Sequence, residues 1–280
     1  MSEVTRLQSE VKRWWENNPM TYDWKGHSPY QVGSPEFFWE IDRRFWKAAW
    51  FGHEATNEPF SRLISYVRLE GKSVLEIGCG AGSLTERLAR HSKYVTAIDL
   101  TKSAVDLTRR RFALHGLHGN ILQMNGENLG FPDEAFDFVW SWGVIHHSAN
   151  TERIVEEIHR VLKPGGEACV MVYNRNSIEF QLGIRIIRGV LLGGLLKYSV
   201  DELADRCSDG FIAKYYSPVR FREMFSKFHQ VQSEIYGQKC ELWQVPHGRV
   251  KDLLVEVTPD ALASWLMRRA GSFLFVRSQK

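Results

Sequence analysis

No stretch of this sequence is apolar enough to cross a membrane. The longest run built only from apolar residues and glycine covers positions 189–196, whereas a membrane-spanning helix needs about 20 such residues. The sequence therefore predicts no transmembrane segment.

Cysteine and net charge are also low. The four cysteines, at positions 79, 169, 207 and 240, are far apart and form no C-x-x-C pair. Because no secretory leader is recognisable either, we expect reduced thiols in a cytoplasmic protein. The formal net charge of +3 over 280 residues is too small and too evenly spread to indicate nucleic acid or an anionic membrane as the main partner.

Tryptophan, in contrast, is abundant near the N-terminus. Six of the ten tryptophans stand at positions 14, 15, 24, 39, 46 and 50. Ser34 as N-cap and Pro35 at the first helical position predict a helix that ends before Gly52, with phenylalanines on one face. So much aromatic surface must be covered, and residues 1–70 are predicted to form a helical arm that caps the rest of the chain.

From residue 72 onward, short apolar segments alternate with helical ones. The predicted strands are 73–77, 94–98, 121–124, 136–140, 168–173, 231–236 and 273–276. This alternation is typical of a parallel sheet with helices on both faces. We predict an α/β fold with a Rossmann-like, seven-stranded, mostly parallel sheet. A core of residues 71–176 and 215–280 is then interrupted by a helical lid insertion at 177–214, and a second insertion separates the last two strands.

Local signals predict the helix boundaries. The sequence S-L-T-E at 83–86 fits a capping box at the start of the first core helix, Thr101 can cap the second, and Gly116 can end it. The sequence K-P-G-G at 163–166 should stop the helix before the fifth strand.

The sequence V-L-E-I-G-C-G-A-G at 74–82 is the strongest functional signal. Three glycines at alternate positions follow a buried strand that carries Glu76. This pattern turns a strand sharply into a helix while its backbone presses against a ligand. Alone it leaves three interpretations open: a tight turn without a ligand, a dinucleotide site, and a site for S-adenosylmethionine (SAM).

Asp99 ends the predicted second strand, 21 residues after Gly78. An acidic side chain there can accept hydrogen bonds from both ribose hydroxyls, in a dinucleotide oxidoreductase as well as in a SAM enzyme. A solvated carboxylate at a strand end is the alternative. The third glycine of a G-x-G-x-x-G motif would fall at Ser83, which argues against NAD.

Three further segments resemble one family. Residues 124–132, M-N-G-E-N-L-G-F-P, are similar to a segment usually written G-D-A-E-N-L-P-F, and they are followed by S-W-G-V-I-H-H-S at 141–148 and L-K-P-G-G at 162–166. Together with E-x-G-x-G-x-G at 76–82, these motifs resemble those of the class I SAM-dependent methyltransferases, in the small-molecule subgroup.

The resemblance implies SAM as cofactor and assigns its contacts. In the family an aspartate at the position of Asn125 accepts a hydrogen bond from the adenine amino group, and an amide oxygen can still accept, although without charge. A loop without an adenine contact is the alternative. The expected cofactor residues are Glu76, Gly78, Cys79, Gly80, Gly82, Asp99, Leu100, Asn125, Gly126, Glu127, Ser141 and Trp142.

His146 and His147 are the candidate catalytic residues. In similar O-methyltransferases a histidine on this loop acts as the base, and its unperturbed pKa near neutrality suits that role; His146 is slightly preferred. Relatives that methylate carbon also carry a histidine here, so a packing role is the alternative. Adjacent histidines without nearby Asp or Cys ligands do not form a metal site, and no metal is predicted.

The acceptor must be recognised outside the core sheet. The candidates are Tyr22 in the arm and Tyr173, Asn174 and Arg175 after the fifth strand, with packing or solvation as the alternative for each. The apolar helix expected near 178–196 could be a lid over an apolar acceptor or could touch a membrane surface. We favour a third interpretation, burial against the aromatic N-terminal helix.

The sequence therefore predicts a SAM-dependent methyltransferase that acts on a hydroxyl of an apolar natural product, a sugar or a lipid-like molecule. Methylation of carbon or nitrogen, an NAD(P)-dependent oxidoreductase and a non-catalytic SAM-fold binding module are the alternatives. No nucleic-acid partner is expected, because no N-P-P-Y or D-P-P-Y tetrad follows the fourth strand and no basic arm carries interleaved aromatics. A homodimer is compatible with the sequence.

Overall fold

The computed structural model describes residues 3–22, 28–53, 58–246 and 248–280. Its α-helices are α1 Glu3–Asn17, α2 Pro35–Ala48, α3 Ser83–His91, α4 Lys102–His115, α5 Thr151–Val161, α6 Val200–Cys207, α7 Pro218–Met224, α8 Arg249–Val257 and α9 Asp260–Ala270. The strands are β1 Ser73–Ile77, β2 Tyr94–Asp99, β3 Asn120–Gln123, β4 Phe136–Trp142, β5 Leu162–Asn174, β6 Tyr215–Tyr216, β7 His229–Tyr236 and β8 Phe273–Gln279. A π-helix spans Glu179–Leu191.

All strands belong to one sheet in the order β3-β2-β1-β4-β5-β8-β7, and the two-residue β6 pairs with the end of β5. The first five strands are parallel, and β8 runs antiparallel between β5 and β7. This arrangement confirms the predicted α/β fold. The chain leaves β1 toward β2 on one side and returns to β4 on the other, so a crevice opens at the carboxyl ends of these strands, where open α/β sheets bind ligands.

The boundary signals of α4 act as predicted, but the K-P-G-G sequence at 163–166 lies inside β5, which begins at Leu162 directly after α5. Thr101 caps α4 by accepting a hydrogen bond from the Ala104 N–H, and Gly116 ends that helix in the left-handed region. The predicted capping box at 83–86 is wrong. Gly82 is the N-cap of α3, and the Ser83 hydroxyl instead donates to Asp42 at 2.6 Å. A contact from the arm therefore takes the place of the local cap.

The N-terminal arm packs against the core through α2 and a buried arginine. Phe37, Phe38 and Ile41 are buried, whereas Trp39 is 60% exposed. Arg111 from α4 is 1% exposed and donates hydrogen bonds to Asp42 of α2 at 2.9 Å. Trp24, which belongs to the predicted aromatic arm, lies outside the described residues.

The sequence interpretation favoured burial of the apolar insertion after β5 against the aromatic N-terminal helix, and this prediction is wrong. Its π-helix buries Phe180 and Ile184 against Leu203 and Ala204 of α6. The opposite face is exposed, and its exposed apolar side chains are Leu182, Ile186, Val190, Leu191 and Leu192. The inner face of the π-helix is therefore buried within the insertion itself, because α6 follows closely in the chain and covers it. No helix within the described ranges is long and apolar enough to cross a membrane.

Candidate functional site

A cavity of about 340 Å³ lies at the carboxyl ends of β1, β2 and β4, within the range of about 300–1,000 Å³ usual for small-molecule sites. Several residues that the sequence predicts to contact cofactor or acceptor line it. They are Tyr22, Glu76, Gly78, Cys79, Gly80, Asp99, Leu100, Asn125, Gly126, Trp142, His147 and Tyr173. The other predicted site residues do not line it. They are Gly82, Glu127, Ser141, His146, Asn174 and Arg175.

The glycine turn brings the backbone to the cavity wall. Gly78 has φ +85°, and a Cβ there would lie 2.2 Å from Cγ2 of Val144, so no other residue fits without displacing the loop after β4. At Gly80, with φ +52°, an added Cβ would meet no atom of the described residues within 4 Å. The backbone is thus closely packed behind Gly78 and open at Gly80, which is what close approach to a ligand requires.

Glu76 places a buried carboxyl on this wall. The side chain accepts a hydrogen bond from the Thr85 hydroxyl at 2.5 Å and is only 3% exposed. Burial raises its pKa to about 8, and the nearby charge of Asp99 adds to the rise. Among the described residues no cation acts on this carboxyl, and a buried carboxyl of that kind is suited to bind a positively charged ligand group, such as an ammonium or a sulfonium.

Asp99 is held in place by three hydrogen bonds. Its carboxylate accepts from the Thr101 N–H at 2.9 Å, the Thr101 hydroxyl at 2.8 Å and the Gly80 N–H at 3.1 Å. Burial raises the pKa of Asp99, and these hydrogen bonds oppose the rise. The orientation is therefore set by β2 and the glycine turn together, and the carboxylate borders the cavity where ribose hydroxyls would lie in the expected SAM site.

The segment after β3 is tied to the arm. The Asn125 side-chain oxygen accepts hydrogen bonds from Gln8 of α1 at 3.1 Å and from the Glu127 N–H at 3.0 Å. The oxygen expected to meet the adenine amino group thus already has two protein donors. Glu127 points to the loop after β4, where it accepts hydrogen bonds from the Ser148 hydroxyl and from the Asn150 N–H. Ser141 is fully buried and donates to the Ile77 carbonyl at 3.0 Å.

The two histidines occupy different environments. His147 borders the cavity, and because a carbonyl oxygen only accepts hydrogen bonds, its Nδ1 must donate to the Ile212 carbonyl, 2.7 Å away. Burial lowers the pKa of His147 to about 4, so the ring is neutral near pH 7. His146 is fully buried behind it, and neither of its ring nitrogens has a hydrogen-bond partner among the described residues. The geometry therefore favours contact of a ligand with His147 rather than His146.

Aromatic side chains also line the cavity, and we call the part that they form its aromatic end. Tyr22 stacks on Phe45 with ring centroids 4.8 Å apart, and Trp142 and Tyr173 both lie near Phe273, at 6.0 and 6.3 Å. This end is suited to an apolar acceptor.

Asn174 and Arg175 leave β5 without reaching the cavity. Asn174 donates to the Gly271 carbonyl at 2.8 Å, and Arg175 pairs with Asp201 at 2.6 Å while its guanidinium lies over the Phe180 ring. Arg175 thus holds the insertion to the sheet, whereas Asn174 holds the loop before β8.

Residues outside the predicted list of contacts also build the site. Glu16 of α1 accepts hydrogen bonds from the Lys102 and Ser103 N–H groups at 2.9 and 2.8 Å, and so binds the start of α4. Trp15 and Asp209 border the cavity directly. A carboxylate near a helix N-terminus is stabilising, but the helix and the glutamate are 86 residues apart, and no local pattern pairs them.

The core of the chain matches a known family. Residues 75–170 match the family model described as "Methyltransferase domain". Over 110 residues the chain is 31% identical to a ubiquinone biosynthesis O-methyltransferase of Coxiella burnetii, covering 39% of this chain and 47% of that protein. Over 122 residues it is 36% identical to phthiotriol/phenolphthiotriol dimycocerosates methyltransferase 1 of Mycobacterium ulcerans, covering 40% and 44%. The chain thus spans less than half the length of these relatives.

Solved structures share the fold across more of the chain. A SAM-dependent methyltransferase from Aquifex aeolicus superposes with a TM-score of 0.52 and 16% identity, covering 88% of this chain and 98% of that one. The 4+2 cyclase SpnF superposes with a TM-score of 0.58 and 14% identity, covering 98% and 96%. These likenesses show the fold. Because one of the two proteins is a cyclase, the shared fold does not define the reaction of this chain.

Proposed function

We propose that this chain, whose residues 75–170 match the family model of a methyltransferase domain, is a class I SAM-dependent methyltransferase that transfers a methyl group from SAM to a hydroxyl of a small apolar molecule. One observation carries the proposal. The same cavity is lined both by the glycine turn, Glu76 and Asp99 and by a group of aromatic side chains. The name of the Coxiella burnetii relative, an O-methyltransferase, supports oxygen as the methylated atom.

The cofactor end fits SAM in charge and shape. Glu76 is a buried carboxyl whose pKa is raised by burial and by the charge of Asp99, and SAM carries both an ammonium and a sulfonium. Gly80 leaves space beside the backbone, and Asp99 offers a fixed carboxylate to ribose hydroxyls. Bound SAM would supply the electrophilic methyl group on its sulfonium.

The chain itself contributes alignment and exclusion of water. The helix α1 covers the cavity and is fixed by Gln8, which accepts from the Ala149 N–H at 2.9 Å while it donates to Asn125. Alignment of two reactants in such a closed site can contribute about 7–11 kcal/mol to rate enhancement. The apolar walls select for an acceptor with an apolar body.

Calorimetry tests the cofactor assignment directly. SAM and S-adenosylhomocysteine should bind the intact protein, and Asp99→Ala should remove that binding, because the ribose hydroxyls lose their acceptor. Asp106→Ala is the matched control, since this carboxylate of α4 pairs with Lys102 on the surface and should leave binding unchanged. Far-UV circular dichroism checks that both variants fold.

Absence of SAM binding to the intact protein would overturn the proposal, and binding of NADPH instead, visible by fluorescence, would favour an oxidoreductase. Transfer is measured with methyl-labelled SAM and mass spectrometry on a panel of phenols, aliphatic alcohols and amines. SAM binding without methylation of any panel member would favour a binding module.

A further inference from the structure

A carboxylate from the insertion reaches the aromatic end of the cavity. Asp209 follows α6 and borders the cavity together with Tyr173 and His147. It is separated by 110 residues from Asp99 and belongs to no motif in the sequence. We propose that Asp209 is the base that binds the hydroxyl of the acceptor and takes up its proton during methyl transfer.

The loop that carries Asp209 is fixed against the core. Gly210 has φ +91°, and a Cβ there would lie 2.6 Å from Nδ1 of His147, so the backbone passes directly over the imidazole. Ile212 accepts the hydrogen bond of His147 at 2.7 Å, and the Lys214 N–H donates to the His146 carbonyl at 3.0 Å. These contacts hold the carboxylate at a defined place, as catalysis by a positioned base requires.

Tyr173 of β5 faces Asp209. Burial raises the pKa of Asp209, and hydrogen bonding from the Tyr173 hydroxyl stabilises the carboxylate and opposes the rise. A carboxylate can accept several hydrogen bonds, so an acceptor hydroxyl can bind beside that of Tyr173. Tyr22 from the arm and His147 also border the cavity, and the charge of Asp209 acts on Tyr22 and on Tyr215 of β6. Among the described residues, no arginine or lysine forms an ion pair with Asp209.

Methyl transfer with Asp209 as the base accounts for every bond, the electron pair and the proton. The acceptor oxygen forms a bond to the methyl carbon, the carbon–sulfur bond breaks, and its electron pair stays on sulfur as S-adenosylhomocysteine. The hydroxyl proton passes to the Asp209 carboxylate. His147 is poorly suited to this role, because burial lowers its pKa to about 4 and its Nδ1–H holds the loop. His147 is then a positioning residue for Asp209.

The inference rests on the proposed methyl transfer, so the test separates the two. Wild type, Asp209→Asn and Asp205→Asn are compared with methyl-labelled SAM and the best hydroxyl acceptor of the phenol and alcohol panel. Asp209→Asn should lower kcat by about 10²–10⁴-fold with unchanged SAM affinity in calorimetry. Asp205→Asn is the matched control: Asp205 accepts from the Ala213 N–H of the same loop at 2.8 Å, and its variant should stay within about threefold of wild type.

The pH profile distinguishes a base from a structural residue. In wild type, kcat/KM should fall toward low pH as Asp209 becomes protonated, and this acid limb should be absent from the residual activity of Asp209→Asn. Tyr173→Phe should move the limb to higher pH, because the hydrogen bond that lowers the Asp209 pKa is lost.

Equal losses in Asp209→Asn and Asp205→Asn, or an acid limb that persists without Asp209, would overturn the inference while methyl transfer stands. A wild-type protein that binds SAM but methylates no acceptor would instead overturn the proposed function, and with it this role of Asp209.

Discussion

Replacement of Glu76 by glutamine should stabilise the ligand-free protein and weaken SAM binding at the same time. The buried carboxyl has a pKa of about 8 in the folded protein, against an ordinary value of 4.5. A group whose pKa is raised on folding binds its proton more tightly in the folded state. Its contribution to the free energy of unfolding is therefore fully present below pH 4.5 and is lost as the pH rises to about 8.

The magnitude follows from the two pKa values of Glu76. The difference between 4.5 and about 8 corresponds to about 5 kcal/mol at about 1.4 kcal/mol per pH unit. Between pH 6 and pH 9 the wild type should lose about 2–3 kcal/mol through this group alone. Glu76→Gln has no proton to lose, and its amide oxygen can still accept the hydrogen bond of Thr85.

Guanidinium unfolding of wild type and Glu76→Gln at pH 6 and pH 9, without SAM, measures this effect. The stability of the variant relative to wild type should rise by about 2–3 kcal/mol between the two pH values. SAM affinity should fall by about 10–100-fold, because a hydrogen bond to a charged group contributes about 1.5–3 kcal/mol. A relative stability that does not change with pH, or unchanged SAM affinity, would refute the reasoning.

Two further predictions concern the same wall. SAM binding at pH 7 should release about 0.9 proton per site. The Glu76 carboxyl, with a pKa of about 8, is mostly protonated in the free protein and becomes charged beside the ammonium of SAM. Binding enthalpies in phosphate and Tris buffers measure the proton release, which should vanish in Glu76→Gln. Gly78→Ala should cost about 1–3 kcal/mol more in unfolding free energy than Gly71→Ala. Both glycines have positive φ, but the new methyl group would clash with Val144 only at Gly78, whereas nothing lies within 4 Å at Gly71. Equal losses in chemical denaturation would contradict the steric argument.

The fold was predictable because its signals are local. Alternating apolar segments define β1 to β5, and Thr101 and Gly116 bound α4 through hydrogen bonds that span only a few residues. The capping box at 83–86 failed for the opposite reason. Ser83 has a partner, Asp42, that is 41 residues distant, and a tertiary contact of that kind has no periodicity.

The exposed face of the π-helix shows the same limit. Its apolar residues predict that the helix buries one face, but they do not predict which face is buried or which element covers it. Phe180 and Ile184 pack on α6, while Leu191 and Leu192 remain exposed at 71% and 74%. Which elements pack against a helix depends on the tertiary fold of the whole chain.

The sequence by itself determined the glycine turn and Asp99. The turn follows β1 directly and Asp99 is the last residue of β2, so each is placed by the backbone of its own short segment. Only the tertiary structure decided that Asp209 borders the cavity, that His147 lies in front of His146, and that Glu16 binds the start of α4. These relations depend on burial and on contacts between distant segments, and both arise only when the arm and the insertion fold onto the sheet.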